Sequence, residues 1–201
     1  MIYYRFKRLF DLTFSIILLL LLGGFLILIM FVIWLNIGSP VFFRQVRIGL
    51  NEKPFFILKF RTMKIFGDGI SDQMRLTKLG SVLRKYSIDE FPQLFYILKG
   101  EMSFIGPRPL LKEYLPYYNC REKLRHQVRP GMTGLAQVNG RSFVSWDYQF
   151  ELDAQYVENI SFKLDLIIFL KTIPLVLSSK DMMVVGRIDQ IRFDVHRQRN
   201  Q

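Results

Sequence analysis

A single cysteine, Cys120, stands in this chain of 201 residues, so an internal disulfide and a cysteine-rich metal site are excluded and a reducing compartment suits it. The two histidines, His126 and His196, lie far apart, which argues against a histidine-based zinc site. Acidic residues are few, 17 against 28 Lys and Arg, and the net charge of +11 asks for an anionic partner: nucleic acid, anionic lipid headgroups or a phosphorylated substrate. No Walker or dinucleotide glycine spacing is present. Charge of either sign is missing altogether from residues 12 to 43.

Apolar residues fill that gap. Half the chain is hydrophobic and the mean hydropathy is +0.18, high for a purely soluble protein. From Phe14 to Leu35 only Ser15, Gly23 and Gly24 interrupt the run, and ~22 residues make a helix ~33 Å long, enough to span bilayer hydrocarbon. The run exceeds a secretory h-region and no small-residue cleavage site follows it, so it reads as an anchor. Arg5, Lys7 and Arg8 precede it and Arg44, Arg47 and Lys53 follow it, and the positive-inside rule pulls both flanks toward the cytoplasm. Two glycines at its centre allow a bend. A membrane helix with its flank over residues 1–39 that enters, turns and returns to one face would satisfy both flanks, and a straight span that merely tolerates the two glycines is the equal alternative.

Beyond it the hydrophobic period changes. Val41 to Met63 reads as a β-hairpin about Gly49-Leu50-Asn51-Glu52, with Arg44, Arg47, Lys59 and Arg61 as a solvated or headgroup-facing basic edge. Ser71 or Asp72 is expected to cap a helix in which Leu79, Val82, Leu83 and Tyr86 share a face. Ser145 is expected to cap another, with Trp146, Phe150, Ala154 and Val157 together. Asp153 lies beside that face, where a carboxylate needs a cation, a metal or an ion pair. Phe162 to Leu177 is too interrupted to span a bilayer and reads as an interfacial or buried helix; Leu110 to Tyr118 reads as another segment setting membrane depth. Residues 186–201 read as a polar, basic, frayed tail.

The chemistry concentrates between Ser87 and Pro109. Asp89 and Glu90 are adjacent, and Gly106-Pro107-Arg108-Pro109 holds an arginine on a rigid loop, a combination suited to phosphoryl chemistry. Ser87 and Glu90 also fit a capping box, but Pro92 removes an amide that a plain helix would use, so the backbone is expected to bend here. Arg84 either neutralises a phosphate or is a surface charge. The second glycine-rich basic stretch, Arg129 to Arg141, would let backbone amides approach a phosphate.

Taken together and in order, KFRTM, SIDEFPQL, KGEMSFIGPRP and RPGMTGLAQVNGR resemble the bacterial sugar transferase family, the small monotopic phosphoglycosyl transferases of surface polysaccharide and glycoprotein assembly. The likeness runs from Lys7-Arg8 and Asp11 to about Leu177. It implies an α+β, mostly helical fold, with the re-entrant helix followed by a compact cytosolic catalytic domain over residues 40–185. It implies transfer of a sugar-1-phosphate from a UDP-sugar to polyprenyl phosphate, with release of UMP, at the cytoplasmic face of a bacterial inner membrane. Asp89 would be the nucleophile and Glu90 its partner, with Mg²⁺ on the diphosphate beside one of them. Arg84, Arg108, Arg129, Gln137 and Arg141 would bind phosphate or nucleotide, and Asp153 would give acidic support. Relatives break the membrane helix with Ser-Pro where this chain has Gly23-Gly24. A metal-dependent glycosyltransferase releasing UDP is the nearer rival; a membrane-bound nucleic-acid binder lacks any recognised motif and has no use for Asp89-Glu90.

Overall fold

The computed structural model describes residues 2–65, 71–140, 145–178 and 192–199. It is α+β and mostly helical, as the resemblance implied. Its first element, α1 (Ile2–Ile37), is the one helix among the described residues long and apolar enough to cross a membrane. Tyr3, Lys7, Asp11, Ser15, Leu18, Leu22, Leu26, Ile29, Ile33 and Ile37 recur every three to four residues and form its covered face, so α1 leans on the rest of the chain from first turn to last. The other side is apolar and bare, with Leu20 79% and Leu21 74% exposed. The turn expected at Gly23-Gly24 is not a break: α1 continues through both, and glycine, unlike proline, leaves the backbone amides bonded.

Both ends of α1 are tied to the same domain. Near its start, Asp165 accepts hydrogen bonds from Tyr3, from Lys7 Nζ at 2.6 Å and from the Tyr156 hydroxyl at 2.8 Å, while Arg8 donates to the carbonyls of Ile97 and Leu98. Asp11 accepts from the Ser103 hydroxyl and the Phe104 amide, both at 3.1 Å. At its end, Arg61 Nη2 donates to the carbonyls of Ile37 and Gly38 at 2.7 Å, where a cation suits the helix dipole.

The expected hairpin follows: β1 (Phe42–Ile48) pairs antiparallel with β2 (Pro54–Phe60), from Phe42 opposite Phe60 to Ile48 opposite Pro54. Phe55 and Ile57 point into a core with Leu94, Tyr96 and Ile97 of α4 (Leu94–Lys99) and Met102. After the short α2 (Asp72–Arg75) comes α3 (Lys78–Lys85), capped by Thr77, whose Oγ1 accepts the Gly80 amide at 2.9 Å, and not by Ser71 or Asp72. Leu79 and Leu83 pack against Ile33 and Phe60, whereas Val82 and Tyr86, expected beside them, are exposed. A Cβ on Gly80 would stand 2.0 Å from the Thr62 carbonyl oxygen. Gly80→Ala must therefore push α3 off the end of β2, and it is expected to lower stability by about 1–3 kcal/mol in thermal unfolding, as overpacking does.

β3 (Ser103–Ile105) and β4 (Gly131–Thr133) form a parallel pair, Ser103 opposite Gly131 and Ile105 opposite Thr133, followed by α5 (Leu135–Val138), α6 (Trp146–Glu158) and α7 (Phe162–Ser178). Ser145 caps α6 as expected, accepting the Tyr148 amide at 3.3 Å, and Trp146, Phe150 and Ala154 turn inward. Two expectations are corrected here. Leu110, Tyr114 and Tyr118 are buried with Trp146, Phe150 and Phe193, so Leu110 to Tyr118 packs against protein instead of setting membrane depth. Within the expected frayed tail, α8 (Phe193–Arg199) docks on that cluster through Phe193, which is fully buried.

Candidate active site

Asp89 and Glu90 do not start an ordinary helix. Ser87 sits in the left-handed region at φ 55° and makes no capping bond, and Ile88–Gln93 wind as a tight 3₁₀ segment that accommodates Pro92 before α4 begins. The capping-box alternative is thereby excluded, because Glu90 turns elsewhere. Its Oε1 accepts from Lys59 Nζ at 2.5 Å and from Arg108 Nη2 at 2.8 Å. Burial pushes the Glu90 carboxyl up, but Arg108 and Lys59 outweigh it and hold it far below the usual carboxylate range.

Asp89 has the opposite environment. It is 8% exposed and, among the described residues, has no hydrogen-bond or ion-pair partner. Burial and then the neighbouring Glu90 carboxylate push it up to about 6, against the pull of Lys59, Arg84 and Arg108. One member of the pair is thus a fixed anion that organises two cations, and the other is an uncommitted carboxylate on the wall of a large open cleft.

Arg84 belongs to this cleft: its Nε donates to Thr62 Oγ1 at 3.0 Å, and its charge acts on Asp89. Gln137 also lines it, with both side-chain polar atoms buried and unpartnered. Arg129 is not brought here; its Nε donates to the Gly100 carbonyl at 2.7 Å, beyond the C-terminal end of α4. Arg141 lies outside the described residues. Asp153 sits behind the site, 3.0 Å from Arg125, and Arg125 donates to the Arg108 carbonyl at 2.6 Å. Of the readings open for Asp153, the ion pair is the one observed, and it braces the Arg108 loop.

Two features escaped the sequence. Lys59 was grouped with a basic edge, although it alternates with Phe55 and Ile57 on the inward side of β2. The glycines of RPGMTG serve a close backbone contact: a Cβ on Gly131 would meet the Gly106 amide nitrogen at 2.2 Å, and one on Gly134 the Gly106 oxygen at 2.2 Å. They let two backbones touch, which fixes the loop carrying Arg108.

Among the described residues no group of three or more His, Cys, Asp or Glu side chains could hold a metal ion unaided. The donors at hand, an unpartnered Asp89 carboxylate beside Glu90, fit Mg²⁺, which takes one or two protein carboxylates and completes its shell with substrate phosphates and water.

Residues 2–179 match the family described as bacterial sugar transferase. The chain is 50% identical over 191 residues to the uncharacterized sugar transferase EpsL of Bacillus subtilis, covering 93% of this chain and 95% of that one. It is 39% identical over 195 residues to the exopolysaccharide production protein ExoY of Rhizobium meliloti, covering 87% and 86%. With the UDP-glucose:undecaprenyl-phosphate glucose-1-phosphate transferase of Caulobacter vibrioides it shares 38% identity over 187 residues, 86% of this chain and 70% of that one.

Proposed function

The chain belongs to the bacterial sugar transferase family, and from that premise we propose that it transfers a sugar-1-phosphate from a UDP-sugar to polyprenyl phosphate, releasing UMP and initiating a bacterial glycoconjugate. The observation that carries this reading is the split between the two carboxylates: Glu90 is committed to Lys59 and Arg108, while Asp89 is left uncommitted in the cleft. The named activity of the Caulobacter relative agrees with it.

In the proposed sequence an Asp89 carboxylate oxygen attacks the β-phosphorus of the donor. The bond from that phosphorus to the bridging oxygen breaks, and UMP leaves with the bridging oxygen. The acceptor phosphate then attacks the same phosphorus, and the acyl phosphate bond to Asp89 breaks. Lys59, Arg84 and Arg108 hold phosphate charge in a partly desolvated site, where fixed cations act more strongly than in water. Mg²⁺ held beside Asp89 or Glu90 would neutralise diphosphate charge.

The location follows from α1. That the domain grips both ends of the helix and leans along its length supports a placement in which those ends share one side and α1 embeds its bare apolar face in the lipid without crossing it. The basic flanks favour the cytoplasm for that side, and the proposed partners are membrane lipids, UDP-sugar and polyprenyl phosphate, with no role for nucleic acid. The test is product analysis of the purified chain in a membrane mimic, with polyprenyl phosphate, Mg²⁺ and a panel of UDP-sugars. UMP is expected with at least one of them, lost on chelation of the metal; UDP in its place would establish transfer of a bare sugar and overturn the reading.

A further inference from the structure

The cleft that holds Asp89 has two unlike walls. One is basic, with Lys59, Arg84 and Arg108; the other is apolar, built from Phe104 on β3, Met132 on β4 and Phe169, Leu175 and Val176 on α7. The two threonines on this second wall are already used, Thr172 Oγ1 donating to the Ile168 carbonyl at 2.8 Å and lying 2.8 Å from Thr133 Oγ1, and Gln137 on α5 is the unpartnered polar side chain beside them. Its aliphatic and aromatic side chains offer no partner to the charged diphosphate of a nucleotide sugar.

α7 shows where the wall leads. Asp165 and Ile168 are buried under it; Phe162, Leu166, Leu170, Ile173 and Leu177 are exposed; Phe169, Thr172 and Val176 are half-buried along the cleft. From the cleft the apolar surface continues onto α1. The ring of Phe14 stands 5.1 Å from that of Phe104 and 6.2 Å from that of Phe169, and it stacks on Phe10, 5.4 Å away and 44% exposed. A line of aromatic rings thus joins the bare side of α1 to the apolar lining of the cleft.

Building on the phosphoglycosyl reading, we propose that the apolar wall of Phe104, Met132, Phe169 and Val176 is the acceptor's entry track, holding the first isoprene units of polyprenyl phosphate while its phosphate reaches the basic wall. The occupant is an amphiphile, and the cleft matches both halves: an apolar side continuous with the membrane-facing helix, and a cationic side at Asp89. The donor half-reaction does not need the track, because UDP-sugar arrives from water.

The two halves are therefore separable by experiment. Phe169→Ser and Val176→Asn are each made in the full chain, and UMP release is followed without acceptor and then against undecaprenyl phosphate. Both variants are expected to keep the acceptor-free burst, about one UMP per enzyme, which also reports that they fold. Their KM for undecaprenyl phosphate is expected to rise tenfold or more, and the rise should shrink for a two-isoprene acceptor. In the wild type, a diazirine on the second isoprene of polyprenyl phosphate is expected to label α7. An unchanged acceptor KM in variants that keep the burst, or labelling that avoids α7 and β3, overturns the track. A wild-type enzyme with no acceptor-free burst overturns the covalent reading, and this inference with it.

Discussion

Asp89→Asn is expected to abolish turnover, by on the order of 10³-fold or more, together with any phosphosugar adduct captured on the chain, because the amide cannot form the acyl phosphate. The side chain changes little in size, and Glu90 keeps its bonds to Lys59 and Arg108, so the variant should fold and still bind the donor. Substantial activity in Asp89→Asn, checked by UMP release, would remove Asp89 as the nucleophile. The reacting form is the carboxylate, and Asp89 is pushed up to about 6, so kcat/KM should climb as pH rises through about 6 and flatten above it. Glu90→Gln removes the like charge that helps raise Asp89. Its acid limb should therefore move to lower pH, although the rate at the plateau falls because Lys59 and Arg108 lose their anchor.

Arg125→Met is expected to have the largest effect on stability. The Arg125 and Asp153 side chains are each 2% exposed and 3.0 Å apart, so removing the cation leaves a buried carboxylate without its counter-charge. Breaking such a pair costs about 3–5 kcal/mol, roughly 6–20 °C in apparent Tm for a chain of this size. The loss should depend on pH in a definite sense. Burial already pushes Asp153 up to about 6, and without Arg125 it rises further, so the folded state binds a proton that the unfolded state releases. Stability then falls as pH rises from the ordinary carboxylate range through the raised value, and the deficit against wild type should be deeper at pH 8 than at pH 5.5. Adding Asp153→Leu to Arg125→Met should recover part of the Tm. It should not restore activity, because the 2.6 Å bond to the Arg108 carbonyl stays lost. An Arg125→Met chain that melts with the wild type would show that this pair contributes nothing.

The sequence disclosed what is written contiguously. Asp89, Glu90 and Pro92 announced a bent segment with two carboxylates, and the paired prolines around Arg108 announced a presented cation; both appear where they were expected. Periodicity also announced the hairpin and the buried side of α6. What it could not announce is the covering of an apolar face. The pattern of Leu110 to Tyr118 suits lipid or protein equally, and only the arrival of Phe193 from the far end of the chain decides it. Arg129 was misplaced for a related reason. A basic residue beside glycines suits a phosphate or a helix terminus, and the carbonyl of Gly100 lies distant in sequence. Lys59 was legible and passed over, since a lysine in step with Phe55 and Ile57 must bury its charge against an acid.

The Asp165 hub sets an order on synthesis. Tyr3 and Lys7 leave the ribosome well before their partner on α7, which follows 162 residues later for Tyr3. Until α7 emerges the base of α1 stays unfastened, and such distant pairing closes slowly. Nascent chains halted before Asp165 therefore lack the clasp that joins the base of α1 to α7. Translation has to run into α7 before the first turn of α1 is locked.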